Sequence, residues 1–279
     1  MGSKMSYATE PTATVAEPAA RESGTQALDR ALAVLLAFRG DVVERKVSDV
    51  SRELGLHKST ASRLFRALAD AGFLQRNEET GAYRLGVTVF ELGARYLDGI
   101  DLHALARPLV HELAEREGES VNLAVREGLD AISLYIAQGT RNVQLVSRLG
   151  RRIPLWVSAA GKALLVDHDD DALRRMLSDA PLAALTPNTI TSRDAFLTHM
   201  AGVRERGWAL NDEESELGLR VVAAPVRDRF GAVTAAISVS GPIFRLDRDR
   251  VEELAEAARH TADELSRQLG HGFGAVWGD

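Results

Sequence analysis

Apolar positions recur at helical spacing near the start of the chain and alternate at strand spacing further on, which predicts helices first and a sheet later. Residues 28–38 form a helix with Leu28, Ala31, Leu32, Leu35 and Leu36 on one side. Residues 48–54 form a short helix in which Ser48 serves as N-cap and Val50 and Leu54 stack one turn apart. Gly55 supplies the positive φ of a tight turn between helices, and Leu56 plugs that turn. A second helix over 58–71 buries Ala61, Leu64, Phe65 and Leu68, spaced i, i+3, i+4, i+7. Gly72 ends it. Strand-like segments 73–76 and 82–85 then flank the polar turn 77–81, which makes a hairpin wing. Residues 47–86 therefore read as a winged helix-turn-helix.

The polar side of the second helix carries Lys58, Ser59, Thr60, Ser62, Arg63 and Arg66. Short hydroxyls and long cations are the side chains that reach base edges and phosphates from a helix in the major groove. Arg76 and Arg84 sit on the wing, where they would meet backbone phosphate. A plain helical hairpin with a solvated basic face is the alternative, and the wing favours double-stranded DNA as the partner.

After the wing, residues 87–97 form a helix with Val89, Leu92, Gly93 and Tyr96 on one face, and 103–117 continue as an amphipathic helix. Strands follow near 120–126, 131–138 and 143–149, then helices near 158–166, 170–177 and 192–206. Strands near 208–211, 219–226 and 233–240 and a last helix over 247–269 complete the pattern. The fold class is α+β: an N-terminal winged helix-turn-helix, a linker helix, and a domain of antiparallel sheet with helices packed on it. The expected boundaries are a disordered tail over 1–24, a DNA-binding domain over 25–86, the linker helix over 87–100, the sheet domain over 101–270 and a flexible tail over 271–279. Residues 1–6 formally fit an N-myristoylation pattern, but a cloning scar before a start at Met5 is the simpler reading.

Composition changes this picture in two respects. Taken whole, a net charge of -6 opposes a DNA partner, yet residues 26–86 hold ten Lys/Arg against eight Asp/Glu, while 87–279 hold 22 against 29. The basic excess is local and small, so affinity leans on dimerisation and specific contacts. Cys is absent, which removes disulfides, thiolate nucleophiles and Cys-ligated zinc. No apolar run is long enough to span a bilayer, and a cytoplasmic protein is expected.

No catalytic constellation emerges. Gly161-Lys162 fails as a phosphate loop, because Trp156 stands where its first glycine belongs and Ala163 where it needs Ser or Thr. The seven His residues show no HExxH spacing, and the eight-residue separation of His103 and His111 suits solvated or core residues better than ligands. Asp212, Glu213 and Glu214 form an acidic cluster that fits a loop or cap better than a metal site. No metal, no cofactor and no enzymatic activity are expected. Three other segments suit a small ligand: 153–163, which passes from strand to helix through small residues, and the strands 218–225 and 235–241. Ser238 and Ser240 are two apart and face the same way. On spacing alone, close packing of helix on sheet explains the small residues slightly better than a ligand does.

These motifs, taken in order, resemble the IclR (isocitrate lyase regulator) family of bacterial transcription factors. The resemblance runs from about Gln26 to Leu269 and rests on "ALDRALAVLLAF", "VSDVSRELGLHKSTASRLFRALADAGFLQR", "RIPLWVSAAGKALL" and "GWALNDEESELGLRVVAAPVRD…GAVTAAISVSGP". It implies a C-terminal effector-binding domain related to GAF/PAS-like folds, and dimers or tetramers on palindromic operators. It further implies Ala159, Ala160 and Gly161 as amide donors to the effector, and Asn211, Val221, Ser238 and Ser240 as pocket groups. Leu145, Ile153 and Leu219 would be apolar walls. Some members have Asp where Asn211 stands and Cys where Val221 stands, so this pocket loses a charge and a polar contact. The expectation is a homo-oligomeric, ligand-responsive regulator answering to a small organic acid; repressor is the working term, and activator stays open because the sign depends on where the operator lies relative to the promoter. An enzyme turning over that acid and an architectural DNA binder without an effector are the rivals.

Overall fold

The computed structural model describes residues 25–39, 42–98, 101–141 and 148–271, with backbone alone for 94–98 and 101. By internal contacts the chain divides between Gly93 and Ala94. The first unit contains α1 (Gln26–Leu36), α2 (Val47–Glu53), α3 (Lys58–Asp70), β1 (Leu74–Arg76), β2 (Tyr83–Leu85) and the first half of α4 (Val87–Asp98). Gly55 has φ +61° between α2 and α3, a left-handed conformation that costs glycine nothing. At the end of α3, Gly72 has φ +77°; its N–H donates to Ala69 O and the Phe73 N–H to Leu68 O, a Schellman stop. β1 and β2 pair antiparallel with Gln75 opposite Arg84, and Arg45 adds a bridge to Tyr83 that the sequence pattern does not announce.

The core of this unit is Val34, Phe38, Val50, Phe65 and Leu74. The Phe65 ring stands edge-on to Tyr83 at 5.0 Å and tilted to Phe38 at 6.2 Å. Full burial of a side chain such as Phe65 contributes about 2 kcal/mol. Two expectations are corrected here. Ser48 lies inside α2, whose N-cap is Lys46 without a side-chain bond, and the Ser48 hydroxyl turns to Asp49 instead. On α1 the core takes Val34 and the following Ala37 and Phe38, while Leu28, Leu32 and Leu36 stay 59%, 48% and 46% exposed. The helix is apolar on more than one side, and Phe38 meeting Phe65 selects the side turned inward.

The second unit contains α5 (Asp101–Glu117), β3 (Ser120–Glu127), β4 (Asp130–Ala137), β5 (Arg152–Pro154), α6 (Ala159–Leu164), α7 (Asp170–Met176), α8 (Arg193–Arg206), β6 (Ala209–Asp212), β7 (Leu219–Arg227), β8 (Val233–Pro242) and α9 (Arg248–Gln268). The six strands form one antiparallel sheet in the order β5-β4-β3-β8-β7-β6. Strand alternation gives it two apolar faces. Val121, Leu123, Val222, Ala224, Ile237 and Val239 pack with α5 and α9, whereas Ala124, Ala131, Ala209, Ala223 and Ala236 pack with α6, α7 and α8. Ser158, Asp169, Ser192 and Asp247 cap α6, α7, α8 and α9 through side-chain oxygens that accept backbone N–H groups. The strand expected near 143–149 falls mostly on residues 142–147, outside the described residues; the sixth strand is β5, immediately after it.

Candidate functional site

Two surfaces bear the residues singled out from the sequence, one in each unit. On α3, Ala61 and Phe65 are fully buried and Leu64 and Leu68 half-buried, so the helix turns its other side outward. Lys58, Ser59, Ser62, Arg63 and Arg66 are exposed and Thr60 partly so. His57, which the pattern does not single out, precedes the helix; its Nδ1 lies 2.9 Å from Ser59 Oγ and caps the Ser59 N–H. The Ser59 hydroxyl is thus held at the start of the helix. On the wing, Arg84 donates to Gln75 Oε1 at 3.0 and 2.8 Å across the hairpin, and Arg76 lies 3.8 Å from Glu78. Both guanidiniums are exposed. Asn77 Oδ1 accepts the Glu79 and Thr80 N–H groups and shapes the tip. The arrangement offers a row of cations and hydroxyls backed by a rigid core.

In the second unit the register aligns the other group. Ser120, Ser240, Val221 and Asn211 are consecutive partners across β3, β8, β7 and β6. In the next row on the same face, Asn122 opposes Ser238 and Ser238 opposes Ala223. This face carries α6, and Ile153, Ala159, Ala160 and Val221 belong to the apolar cluster between them. Leu219 is two residues from Val221 and shares its face. Leu145 lies outside the described residues. The Ala159 and Ala160 N–H groups have no partner among the described residues, but the Gly161 N–H is given to Ser158 Oγ at 3.0 Å. Gly161 is there for space: a Cβ would fall 2.4 Å from Leu155 Cα and O, so α6 lies directly on the Leu155 backbone. Among the described residues, the Ser238 and Ser240 hydroxyls reach only the Asn122 and Ser120 carbonyls, at 3.5 and 3.3 Å.

Asn211 is buried with both amide ends engaged. Its Oδ1 accepts the Glu214 N–H at 2.8 Å and its Nδ2 donates to Ser215 Oγ at 2.6 Å. Pattern reading passed over Ser120 and Asn122, although the polar–apolar alternation of Ser120, Val121, Asn122 and Leu123 marks both as facing one way. The Asn122 Oδ1 and the Trp156 Nε1 are buried with no hydrogen-bond partner among the described residues. Such groups cost free energy unless something satisfies them. A separate cavity of about 400 Å³ opens near Leu105, Phe230 and Leu269, on the α5 and α9 side of the sheet.

Charge in this region is buried and paired. Lys162, fully buried, donates to Leu210 O at 3.1 Å and to Glu214 Oε1. Burial pushes the Lys162 ammonium down and the Glu214 carboxyl up from their ordinary ranges, and each partner pulls the other back. Asp212 accepts from Arg220 at 2.6 Å, and Glu213 Oε2 accepts the Gly218 N–H at 2.7 Å. The acidic cluster is spent on structure, and no group of three metal-ligating side chains occurs among the described residues. His199 is pushed down to about 4 by burial first, then by Lys162 and Arg206, so it is neutral at pH 7.

Comparison with known proteins gives a consistent result. A model of the IclR helix-turn-helix domain matches residues 27–78, and one of the bacterial transcriptional regulator IclR C-terminal domain matches residues 94–267. The HTH-type transcriptional repressor AllR of Escherichia coli (strain K12) is 36% identical over 255 residues, which is 91% of this chain and 94% of that protein. Among solved structures, an IclR transcriptional regulator from Alicyclobacillus acidocaldarius superposes with a TM-score of 0.78 at 26% identity over 88% of this chain and 98% of its own. An IclR homolog from Microbacterium hydrocarbonoxydans, complexed with 4-hydroxybenzoate, superposes with a TM-score of 0.76 at 27% identity over 88% of this chain and 99% of its own.

Proposed function

The chain belongs to the IclR family of transcriptional regulators, DNA-binding proteins rather than enzymes, and from that premise we propose that it represses transcription from a palindromic operator until a small organic acid binds its C-terminal domain. The observation that carries the DNA part is the exposed row on α3, set on a helix whose opposite side is core. Two such helices in a dimer would enter successive major grooves about 34 Å apart, with Ser59, Thr60, Ser62 and Arg63 at or near base edges and Lys58, Arg66, Arg76 and Arg84 on phosphate. The exposed leucines of α1 support association with a second copy. Whether the working assembly is a dimer or a tetramer, it acts in the cytoplasm, where the operator is.

The effector part is supported by the sheet face under α6. The Ala159 and Ala160 amides, without a partner among the described residues, and the weakly bonded Ser238 and Ser240 hydroxyls are donors suited to a carboxylate. Gly161 adds closeness rather than a donor, Ile153 and Val221 supply apolar wall, and Leu219 lies on the same strand face as Val221. The 4-hydroxybenzoate complex of the Microbacterium relative supports an acid as the ligand class. Asn211 is neutral and tied into its own loop, so it orients the site more than it draws charge. The test is a screen of small carboxylates by thermal shift, followed by operator binding with each hit. A hit that raises the melting temperature and changes operator affinity supports the reading. Consumption of the acid during incubation would sink it in favour of an enzyme.

A further inference from the structure

The β6–β7 loop, residues 213–218, is tied down from three directions. Glu214 O accepts from Thr189 Oγ1 at 2.6 Å, and Glu213 O from Thr186 Oγ1 at 2.6 Å. The Glu214 N–H donates to Asn211 Oδ1 at 2.8 Å, and Glu213 holds a left-handed φ of +59° braced by its carboxylate on the Gly218 N–H. The third tie is the Glu214 side chain, which crosses to Lys162 on α6. Lys162 also grips Leu210 O on β6, and its neighbour Gly161 presses α6 onto Leu155. Loop, strand end and helix start are therefore linked through one fully buried ammonium.

An ion pair in this position is a poor way to gain stability. Both charges lose their water, and an apolar pair of similar size commonly does as well or better in a protein interior. What an apolar pair lacks is direction. The pair joins the two parts of the chain that bear the candidate effector groups: the α6 start with Ala159 and Ala160, and the loop root with Asn211. We infer that Lys162 and Glu214 are positioning residues of the effector site, fixing the Asn211 loop against α6 so that the polar groups of both converge in one geometry. This inference rests on the effector reading above for its purpose, but the latch itself is open to measurement without any ligand.

The test uses the full chain and the double variant Lys162→Met/Glu214→Met. The variant is expected to melt at or above the parent temperature, with β7, β8 and α9 amides as protected from deuterium exchange as before. The Glu214 and Gly218 amides, whose acceptors lie within the loop region, should exchange about tenfold faster or more. Affinity for 4-hydroxybenzoate, the probe acid, should fall by about tenfold when loop and helix no longer hold one geometry. Parent-like exchange at both amides in a folded variant would overturn the inference. Parent-like 4-hydroxybenzoate affinity in a variant whose loop has loosened would overturn it too, by showing that the pair serves stability alone. Failure of the parent itself to bind 4-hydroxybenzoate counts against that acid and leaves the exchange comparison to decide the latch. Should the double variant lose protection throughout the sheet, Lys162→Met alone carries the same comparison, because a buried Glu214 carboxyl without its partner can take up a proton and stay neutral.

Discussion

Arg63 stands on the exposed side of α3, two residues from the buried Phe65, and its guanidinium can make two parallel donations to a guanine edge. Arg63→Ala should cost about 1–3 kcal/mol of operator binding and relax the preference for one base pair, read by binding to operators substituted one position at a time. Lys58→Ala should weaken all sequences alike and lower the salt slope by about one, as loss of a phosphate contact does. His199 yields a prediction of another kind. Its folded pKa of about 4 lies below the ordinary 6.5, so the unfolded chain binds the extra proton first as pH falls. Stability should drop as pH falls from 6.5 towards 4, and His199→Gln should flatten the melting-temperature profile over that window. At this scale the outward face of α3 was legible, since a helix that buries Ala61 and Phe65 must expose Ser62, Arg63 and Arg66. Lys162 was not. Lysine is ordinarily a surface residue, and nothing in its neighbours announces a partner 52 residues away.

Elements test the backbone arguments. Gly55→Ala forces a side chain into a left-handed turn with open space around it, so the cost should be the conformational one alone, about 1–2 kcal/mol of DNA-binding-unit stability. Gly161→Ala meets backbone at 2.4 Å and should cost more, in the range of about 1–3 kcal/mol or above, and weaken effector binding as α6 lifts from Leu155. Equal denaturation midpoints for the Gly161→Ala variant and the parent would contradict the close approach. Helix starts were legible to within a residue, since the expected starts at 192 and 247 are the N-caps of α8 and α9, but the one residue read as a cap, Ser48, lies inside α2. The inward side of α1 was not legible, because Leu28, Leu32 and Leu36 on one flank and Val34, Leu35 and Phe38 on another make two apolar stripes, and only the tertiary partner chooses. The three-residue β5 was legible only as the strand from which 153–163 passes into a helix, and not as one of the six sheet strands, because a strand that short carries too few positions to show alternation.

The whole molecule joins a modestly basic reader to an acidic sensing domain. With only two excess positive charges in residues 26–86, a single copy should hold DNA weakly, and two copies on two half-sites should hold it by mutual effective concentration. Leu32→Glu, placed on the exposed α1 stripe, should leave the unit folded yet lower affinity for a two-half-site operator by about tenfold or more, with single half-site binding unchanged. A ligand can act on that assembly only through its difference in affinity for the DNA-competent and DNA-incompetent arrangements, and the coupling is reciprocal. The direct test is therefore the affinity of the full chain for an operator duplex that it selects from a random-sequence DNA pool, measured at fixed salt with and without each carboxylate that raises its melting temperature. At least one such acid should weaken operator binding by about fivefold or more, with its own affinity reduced equally when operator is present. An acid that stabilises the protein through the α6 face yet leaves operator affinity untouched would contradict the account.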